Sequence, residues 1–422
     1  MLRSISMKKW IIWMIIMLAA LFISGCSKKT IVIKQISLGW HHSSALTVSG
    51  QLFTWGLNED GQLGDGTTTN KLKPVNITKQ FNLEEGEFIL QVSLGNLHST
   101  ALTSMGRIFT WGDNKYGQLG DGTLTNQTNP IDITNQFELD IDESIEYISS
   151  GGYHVAILTS KGRILTWGDN TYGQLGDGTL TNKSNPVDIA NHLNLSLDES
   201  IKYISSGGYH CNIITSTGRI FTWGTTYQGS VDDDPMLDYS VTSPTDITEQ
   251  FNLATEETIE LITSGSANSA AISSSGRTFI WGRQYYGHYE SGGVINTTIT
   301  NPKDITDEFD LKDGEIIQHI SLEFTHAFVA TSENRIFAWG NNENGQLGDG
   351  SSIDKYSPTD ITKQFKLGKG ESIEQVSLGE NHSVVVTSKN RVLSWGWNFV
   401  GQLGDGTTTK VRNSPTDITK HF

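Results

Sequence analysis

The 422-residue sequence predicts an all-β protein, a seven-bladed β-propeller of four-stranded antiparallel blades, and three observations predict it. The dipeptide Trp-Gly recurs seven times, at spacings of 56, 56, 56, 58, 58 and 56 residues. Short runs rich in Val, Ile, Thr and Trp alternate with Gly, Asn, Asp and Ser, and no segment shows sustained helical periodicity. Four short strands fit each repeat, and a ring of such units protects its sheet edges. A β-solenoid is the alternative, but its coils are usually shorter.

Each repeat keeps the same residue types at fixed offsets from its tryptophan. A histidine stands thirteen residues before the tryptophan in six repeats, and Asn268 takes this place in the fifth. We predict that each histidine forms a hydrogen bond within its own blade and that Asn268 imitates it. In the last repeat, the strand-like runs are 373–378, 382–387, 391–395 and 415–419. The tryptophans are predicted to form the core between blades; they are Trp55, Trp111, Trp167, Trp223, Trp281, Trp339 and Trp395.

The two ends of the repeat region bear on how the ring closes. The repeats begin near Ile31 and end near Thr419, so neither end carries a complete additional blade. We therefore predict that strands from the N-terminal segment share a blade with the C-terminal repeat.

The N-terminal residues have the features of a secretory signal. Arg3, Lys8 and Lys9 precede an apolar run over residues 10–23, and small residues lead to Cys26. The sequence Ile-Ser-Gly-Cys resembles the lipobox of bacterial lipoproteins, in which the cysteine is lipidated. An uncleaved signal anchor is the alternative, although the run is short for a membrane span.

These features divide the chain into three parts. Residues 1–25 are predicted to be a lipoprotein signal peptide, 26–30 a short tether and 31–422 the propeller. The expected location is the extracytoplasmic face of the cell membrane, with a palmitate-type lipid anchor on Cys26.

Composition and motifs argue against several classes of function. The chain carries 46 acidic and 30 basic side chains, a formal charge of -16, which disfavours binding to nucleic acid. No Ser-His-Asp order, phosphate-binding loop or Cys/His cluster is evident. We therefore predict no enzyme activity, cofactor, metal or small-molecule substrate. A glycan-active enzyme would need paired carboxylates at a cleft. The acidic run 232–234 is the best candidate for a cation site, although a solvated loop is favoured there.

Positions that vary between otherwise similar repeats suggest a binding surface. The fifth residue after each tryptophan is one such position, and Trp40 and Trp397 lie outside the Trp-Gly register. Trp40 and Trp397 could be interface anchors or ordinary turn residues. We predict a protein-binding rim on loops of one face; its residues are Tyr116, Tyr172, Tyr285, Tyr286, Trp397 and Phe399.

The repeat motif resembles a known family. Ser-Leu-Gly-x-x-His-Ser, Gly-Arg-x-x-x-Trp-Gly and Gly-Gln-Leu-Gly-Asp-Gly-Thr, over residues 35–422, are similar to the regulator of chromosome condensation (RCC1-type) repeat. This resemblance implies a seven-bladed propeller. It also implies an alternative function, guanine-nucleotide exchange on a small GTPase. The predicted lipobox favours instead a non-catalytic, lipid-anchored propeller that binds an unidentified protein partner, a role similar to that of the secreted bacterial β-lactamase inhibitory protein of the second type.

Overall fold

The computed structural model describes residues 31–225, 240–288 and 294–422, without the side chains of 285–288 and 294–297. These residues form seven four-stranded antiparallel sheets, which confirms the predicted seven-bladed β-propeller. Residues 32–422 make up one compact unit. Among the described residues, no helix is long and apolar enough to span a bilayer. The predicted lipidation site Cys26 and the acidic run 232–234 lie outside the described residues.

Each blade takes its four strands in chain order from the centre of the ring outward. The innermost strands are β1 (Ile33–Leu38), β5 (Ile89–Leu94), β9 (Ile145–Ser150), β13 (Ile201–Ser206), β17 (Ile259–Ser264), β21 (Ile317–Leu322) and β25 (Ile373–Leu378). The second strands are β2 (His42–Thr47), β6 (His98–Thr103), β10 (His154–Thr159), β14 (His210–Thr215), β18 (Asn268–Ser273), β22 (His326–Thr331) and β26 (His382–Thr387). The third strands are β3 (Leu52–Gly56), β7 (Ile108–Gly112), β11 (Ile164–Gly168), β15 (Ile220–Gly224), β19 (Thr278–His288), β23 (Ile336–Gly340) and β27 (Val392–Trp397). The outer strands are β4 (Lys71–Asn76), β8 (Gln127–Asp132), β12 (Lys183–Asp188), β16 (Val241–Asp246), β20 (Val294–Asp304), β24 (Lys355–Asp360) and β28 (Val411–Asp417).

A 3₁₀ turn follows each outer strand and leads to the next blade. The turns are Thr78–Phe81, Thr134–Gln136, Ala190–His192, Thr248–Phe251, Thr306–Phe309, Thr362–Phe365 and Thr419–His421. The predicted runs of the last repeat match β25 and β26, whereas β27 and β28 are displaced by a few residues. Every residue of the second strands is buried, because both faces of these strands pack against neighbouring blades.

Ring closure differs from the prediction of a shared blade, which is wrong. Each blade is continuous in sequence, and β1 is the inner strand of the first blade rather than part of the seventh. The repeat begins with its inner strand and ends with its outer strand, so no strand is left over to exchange. The ring closes through contacts between complete blades: Leu38 N donates to Ser377 Oγ (3.1 Å), and the Phe422 ring lies 5.7 Å from Trp55.

The repeat histidines also bond differently from the prediction. His42 Nε2 lies 3.2 Å from Ser99 Oγ, and His382 Nε2 lies 2.9 Å from Ser43 Oγ, so each ring reaches the following blade. The hydroxyl of Ser99 donates in turn to Gln62 O (2.9 Å). Burial lowers the pKa of the His42 imidazole to about 3, so the ring is neutral. Five of the six repeat histidines, all except His98, therefore join neighbouring blades rather than stabilise a single blade.

The Gly-Gln-Leu-Gly motif is a second connection between blades. In the first repeat this loop reaches the second blade, where Trp111 Nε1 donates to Gln62 O (2.9 Å). Gly64 has φ +71°, and a Cβ there would stand 2.7 Å from Trp111 Nε1, so a side chain would collide with the indole. The same indole-to-carbonyl bond joins Trp55 to Gln402, Trp167 to Gln118, Trp223 to Gln174 and Trp395 to Gln346.

The end of the ring that carries the 3₁₀ turns, here called the clasp end, is held by ion pairs. Arg107 contacts Glu87 (3.0 Å) and Asp132 (2.8 Å), and its guanidinium lies 4.7 Å from the Phe109 ring centroid. Arg107 thus both pairs with carboxylates and covers an apolar ring. The same Arg–Glu pair recurs in the later repeats; the pairs are Arg163–Glu143, Arg219–Glu199, Arg277–Glu257, Arg335–Glu315 and Arg391–Glu371.

Candidate protein interface at the channel mouth

The seven innermost strands surround a central cavity of about 270 Å³. Because strands alternate in direction, the loops after the first and third strands of every blade lie at the same end. We call this end the mouth. The cavity is lined mainly by small and polar residues; those at one recurring level are Ser37, Ser93, Ser149, Thr263, Ser321 and Ser377.

Backbone hydrogen bonds run around much of the mouth. Trp40 N donates to Asn96 O (3.3 Å), and Asn96 N donates to Gly152 O (2.9 Å). Farther along the same series, Gly208 N donates to Ser266 O (3.0 Å). Each bond joins one blade to the next, so the backbone at the mouth is fixed from the first blade to the fifth.

Glu323 interrupts this series. Six repeats have glycine at its position, whereas here a carboxylate oxygen, Oε2, accepts hydrogen bonds from Ser266 N (2.9 Å) and Phe324 N (2.6 Å). Burial raises the pKa of the Glu323 carboxyl to about 7, and nearby Glu380 adds to the rise against the opposing effect of the two amides. Asn268 Nδ2 donates to Glu323 O (3.0 Å), so the two departures from the repeat pattern are in direct contact.

Aromatic rings cover the mouth over the seventh and first blades. Phe399 is 61% exposed and stacks on Trp397, with ring centroids 6.0 Å apart and planes 9° from parallel. Trp397 meets the His41 ring at 4.9 Å. Trp40 in turn contacts Tyr153 edge-on at 5.8 Å. These contacts extend the aromatic surface from the seventh blade to the third.

Four tyrosines continue this surface across the second, third and fourth blades. Tyr153 lies edge-on to Tyr116 at 5.3 Å and 6.4 Å from Tyr209, which meets Tyr172 at 5.5 Å. All four are partly exposed. We call the whole surface the aromatic arc; it comprises Trp40, His41, Tyr116, Tyr153, Tyr172, Tyr209, Trp397 and Phe399.

The structure brings four of the six predicted rim residues, Tyr116, Tyr172, Trp397 and Phe399, to the same end of the ring. The side chains of Tyr285 and Tyr286 lie outside the described residues. The residues that link these four, His41, Tyr153 and Tyr209, were not predicted from the sequence. Variation at the position just before the repeat histidine could have identified them. The residues at this position are His41, Leu97, Tyr153, Tyr209, Ala267, Thr325 and Asn381.

Carboxylates outnumber cations around the aromatic arc. His41 Nε2 lies 3.1 Å from Glu380 Oε2, but burial lowers the pKa of His41 to about 4, so this contact is a hydrogen bond that the neutral ring donates to the carboxylate. The described cations are Lys115 and Lys410 in the mouth loops and Arg283 on the strand beside them. Four described carboxylates of these loops are paired with a lysine or arginine of the adjacent outer strand; they are Asp65, Asp177, Asp349 and Asp405. The other described carboxylates of the loops are Glu59, Asp60, Asp113, Asp121, Asp169, Glu323, Glu343, Asp354 and Glu380.

The chemistry of these groups suits recognition. In the part of the chain that the structure describes, no three His, Cys, Asp or Glu side chains come together as a metal site. The buried cysteine Cys211 lies beside a repeat histidine, with its sulfur 3.1 Å from His154 Nε2. Burial raises the pKa of the Cys211 thiol to about 12 and lowers that of His154 to about 3. The thiol therefore stays protonated and joins two blades, as the serines do elsewhere.

Comparison with known proteins agrees with this architecture. A family model described as an RCC1-like domain matches residues 23–309, and RCC1 repeat models match 333–386 and 389–421. The chain belongs to the RCC1-like domain family. It is 28% identical in sequence to the ultraviolet-B receptor UVR8 of Arabidopsis thaliana, in an alignment that covers 91% of this chain and 81% of the receptor. It is 27% identical to the secretion-regulating guanine nucleotide exchange factor of Mus musculus, in an alignment that covers 89% of this chain and 80% of that protein.

Solved structures of this family share the fold. The crystal structure of Prp20p from Saccharomyces cerevisiae has a TM-score of 0.69 at 20% identity, covering 92% of this chain and 88% of that one. The crystal structure of human WBSCR16 has a TM-score of 0.67 at 22% identity, and the alignment covers 86% of this chain and 87% of that one.

Proposed function

We propose that this protein is a non-catalytic propeller that binds a protein partner through the aromatic arc. The single observation that supports this most strongly is the continuity of the arc. Its rings contact one another from the seventh blade to the fourth, and they remain partly exposed instead of entering the core. Aromatic residues are enriched at interfaces, where large rings give buried area at low entropic cost.

Affinity capture with single substitutions tests this proposal. The full chain, solubilised in detergent, is used to capture proteins from the membrane fraction. Phe399→Ala and Tyr172→Ala should each reduce the amount of the captured partner at least severalfold. Phe88→Ala and Met105→Ala are controls, because these side chains are 44% and 52% exposed and lie at the clasp end, before β5 and between β6 and β7. Equal capture by all four variants and the parent would refute the proposal.

The lipid anchor is the second part of the proposal. Its support is the charged N-terminal segment, the apolar run and the Ile-Ser-Gly-Cys sequence that ends at Cys26. Lipid on Cys26 would hold the propeller at the extracytoplasmic face of the cell membrane. In bacterial cells fed an alkyne-labelled palmitate, the parent should take up the label and Cys26→Ser should not. Label on the serine variant, or a cytoplasmic unprocessed parent, would overturn this part.

A cytoplasmic location would favour the second candidate, a guanine-nucleotide exchange factor. The similarity to the murine secretion-regulating exchange factor, over most of both chains, supports this candidate. The measurement is release of labelled GDP from small GTPases of the host. Acceleration of this release by the propeller would make exchange the function, and no acceleration would leave the binding role.

A further inference from the structure

This inference rests on the proposed function and specifies the partner. We infer that the partner presents an extended, arginine-containing segment, and that one arginine side chain enters the mouth beside Glu323 and Glu380. The aromatic arc would hold the flanking residues of the segment. Two independent features carry the inference: the break that Glu323 makes in the backbone bonds of the mouth, and the imbalance of charge around the aromatic arc.

Carboxylates of the sixth and seventh blades lie at the mouth of the central cavity, between Glu323 at the break and Trp40 of the first blade; we call this place the opening. Glu323 and Trp40 both line the central cavity, and Glu380 stands on the neighbouring loop beside His41. Both backbone amides that bind Glu323 donate to Oε2, so Oε1 takes no part in those two bonds. Among the described residues, the charged groups at this opening are Glu323, Glu380 and Arg283, with His41 neutral.

Charge determines the class of partner. The two carboxylates disfavour an acidic partner, because like charges repel strongly when they are placed together in a desolvated interface. A cation that approaches removes this repulsion and favours the ionised form of Glu323. The partner segment is therefore cationic.

The shape of the guanidinium group favours arginine over lysine. A guanidinium is planar, can bind carboxylate through two hydrogen bonds and stacks on aromatic faces. The mouth already contains one such contact, in which the Arg283 guanidinium lies 5.2 Å from the Phe324 ring centroid. A second guanidinium could make the same kind of contact with Trp40 on the other side of the opening.

The dimensions favour a peptide segment over a small ligand. The central cavity of about 270 Å³ is at or below the lower limit of typical small-molecule pockets, roughly 300 Å³, but accommodates one long side chain. The aromatic arc extends over five blades, far beyond the reach of a single side chain. An extended segment with one arginine at the mouth fits both dimensions.

Fluorescence anisotropy with labelled hexa-arginine, hexa-lysine and hexa-citrulline peptides tests the inference on the full chain in detergent. We expect affinity to fall in the order arginine, lysine, citrulline, and to weaken as sodium chloride increases. Glu323→Gln and Glu380→Gln should each weaken hexa-arginine binding about tenfold. Glutamine at position 323 can still accept from the two backbone amides, so the loop should remain in place.

Two exposed carboxylates of the inner strands provide matched controls. Glu146→Gln and Glu374→Gln make the same change of charge near the other end of the channel and should alter the affinity less than twofold. Equal weakening by all four substitutions, or equal binding of hexa-citrulline and hexa-arginine, would overturn the inference. Thermal unfolding of each variant identifies any that fails to fold, and Glu380→Gln, at a partly exposed position, provides a second reading if Glu323→Gln is unstable.

The outcome can be separated from that of the proposed function. If the arginine peptide binds without regard to Glu323 and Glu380 while Phe399→Ala still reduces capture, only the inference fails. If capture is unaffected by the arc substitutions, the proposed function fails whatever the peptides do.

Discussion

The two ends of the ring use the same repeat for different purposes. At the clasp end, successive blades repeat an Arg–Glu pair and a 3₁₀ turn, as Arg107–Glu87 and Arg277–Glu257 show. At the mouth end, the residue two positions before the repeat histidine changes from Trp40 in the first blade to Glu380 in the seventh. The ion pairs of the clasp end thus vary little, whereas the residues before the repeat histidine at the mouth end vary strongly.

The difference separates residues that hold the ring from residues available for recognition. The carboxylate of Glu87 is fully buried in its ion pair, so substitution there would leave Arg107 without its partner. Phe399 is mostly exposed and can change without loss of core packing. Substitutions at the clasp end should therefore affect stability, and those at the mouth end should affect binding.

The largest effect is expected from one pair of identical substitutions at the two ends. Phe365 is buried between blades, with its ring edge-on to Trp395 at 5.3 Å. Phe365→Ala should lower the free energy of unfolding by about 3 to 5 kcal/mol, because it removes a large ring and leaves a cavity. Urea denaturation followed by tryptophan fluorescence measures the loss.

Phe399→Ala is the matched control at the mouth end. Its free energy of unfolding should stay within about 0.5 kcal/mol of the parent, as for other exposed positions. The two-end comparison breaks down if Phe399→Ala destabilises the ring as much as Phe365→Ala does.

A second effect, of intermediate size, concerns acid stability at the clasp end. The hydrogen bonds from Arg335 lower the pKa of Glu315 from 4.5 to about 2, despite the opposing effect of burial. A lowered folded-state pKa contributes stability above pH 4.5, and this contribution is lost as pH falls from 4.5 to about 2. Glu315→Gln should cost about 2 kcal/mol at neutral pH and make the fall in stability over this acid range less steep.

Urea midpoints across this pH range measure both parts of that prediction. Glu374→Gln is the control, because Glu374 is exposed on the inner strand β25. An unchanged acid dependence in Glu315→Gln would show that the Arg335–Glu315 pair does not stabilise the ring.

The repeat made the framework predictable, because its spacing follows from contacts that every blade must make. The Trp-Gly register gave the blades, and β25 and β26 begin and end where the alternation of residue types predicted. The direction of the contacts was not predictable. A histidine at a fixed position can bond to its own blade or the next, and only the ring geometry places Ser99 beside His42.

The site was less predictable than the framework for a related reason. Variation between repeats indicated Tyr116 and Trp397, but each residue contacts rings from other blades that are distant in sequence. The position of Glu323 was visible as a departure from the repeat glycine. Its hydrogen bond to Ser266 N depends on the neighbouring blade, which a single-repeat comparison does not include.

The smallest predicted effect lies where the framework meets the mouth. His98 is buried, and its Nε2 has no hydrogen-bond partner among the described residues, because Val155 occupies the position that Ser99 takes in the preceding pair of blades. Val155→Thr would place a hydroxyl near His98 and near Gln118 O, the carbonyl that corresponds to the acceptor for Ser99. We expect it to raise the free energy of unfolding by about 0.5 to 1 kcal/mol.

Val385→Thr distinguishes this specific gain from a general tolerance of threonine. Val385 is also fully buried on a second strand, and both valines belong to apolar clusters. Val385, however, is the third residue after its repeat histidine and not the first, which is the position from which Ser99 meets His42. A hydroxyl there should cost about 1 to 3 kcal/mol. Urea midpoints of the two variants should move in opposite directions, and a loss of stability in both would mean that the cross-blade histidine bond adds nothing. Hexa-arginine binding should be unchanged in Val155→Thr, since this residue belongs to the framework and not to the aromatic arc.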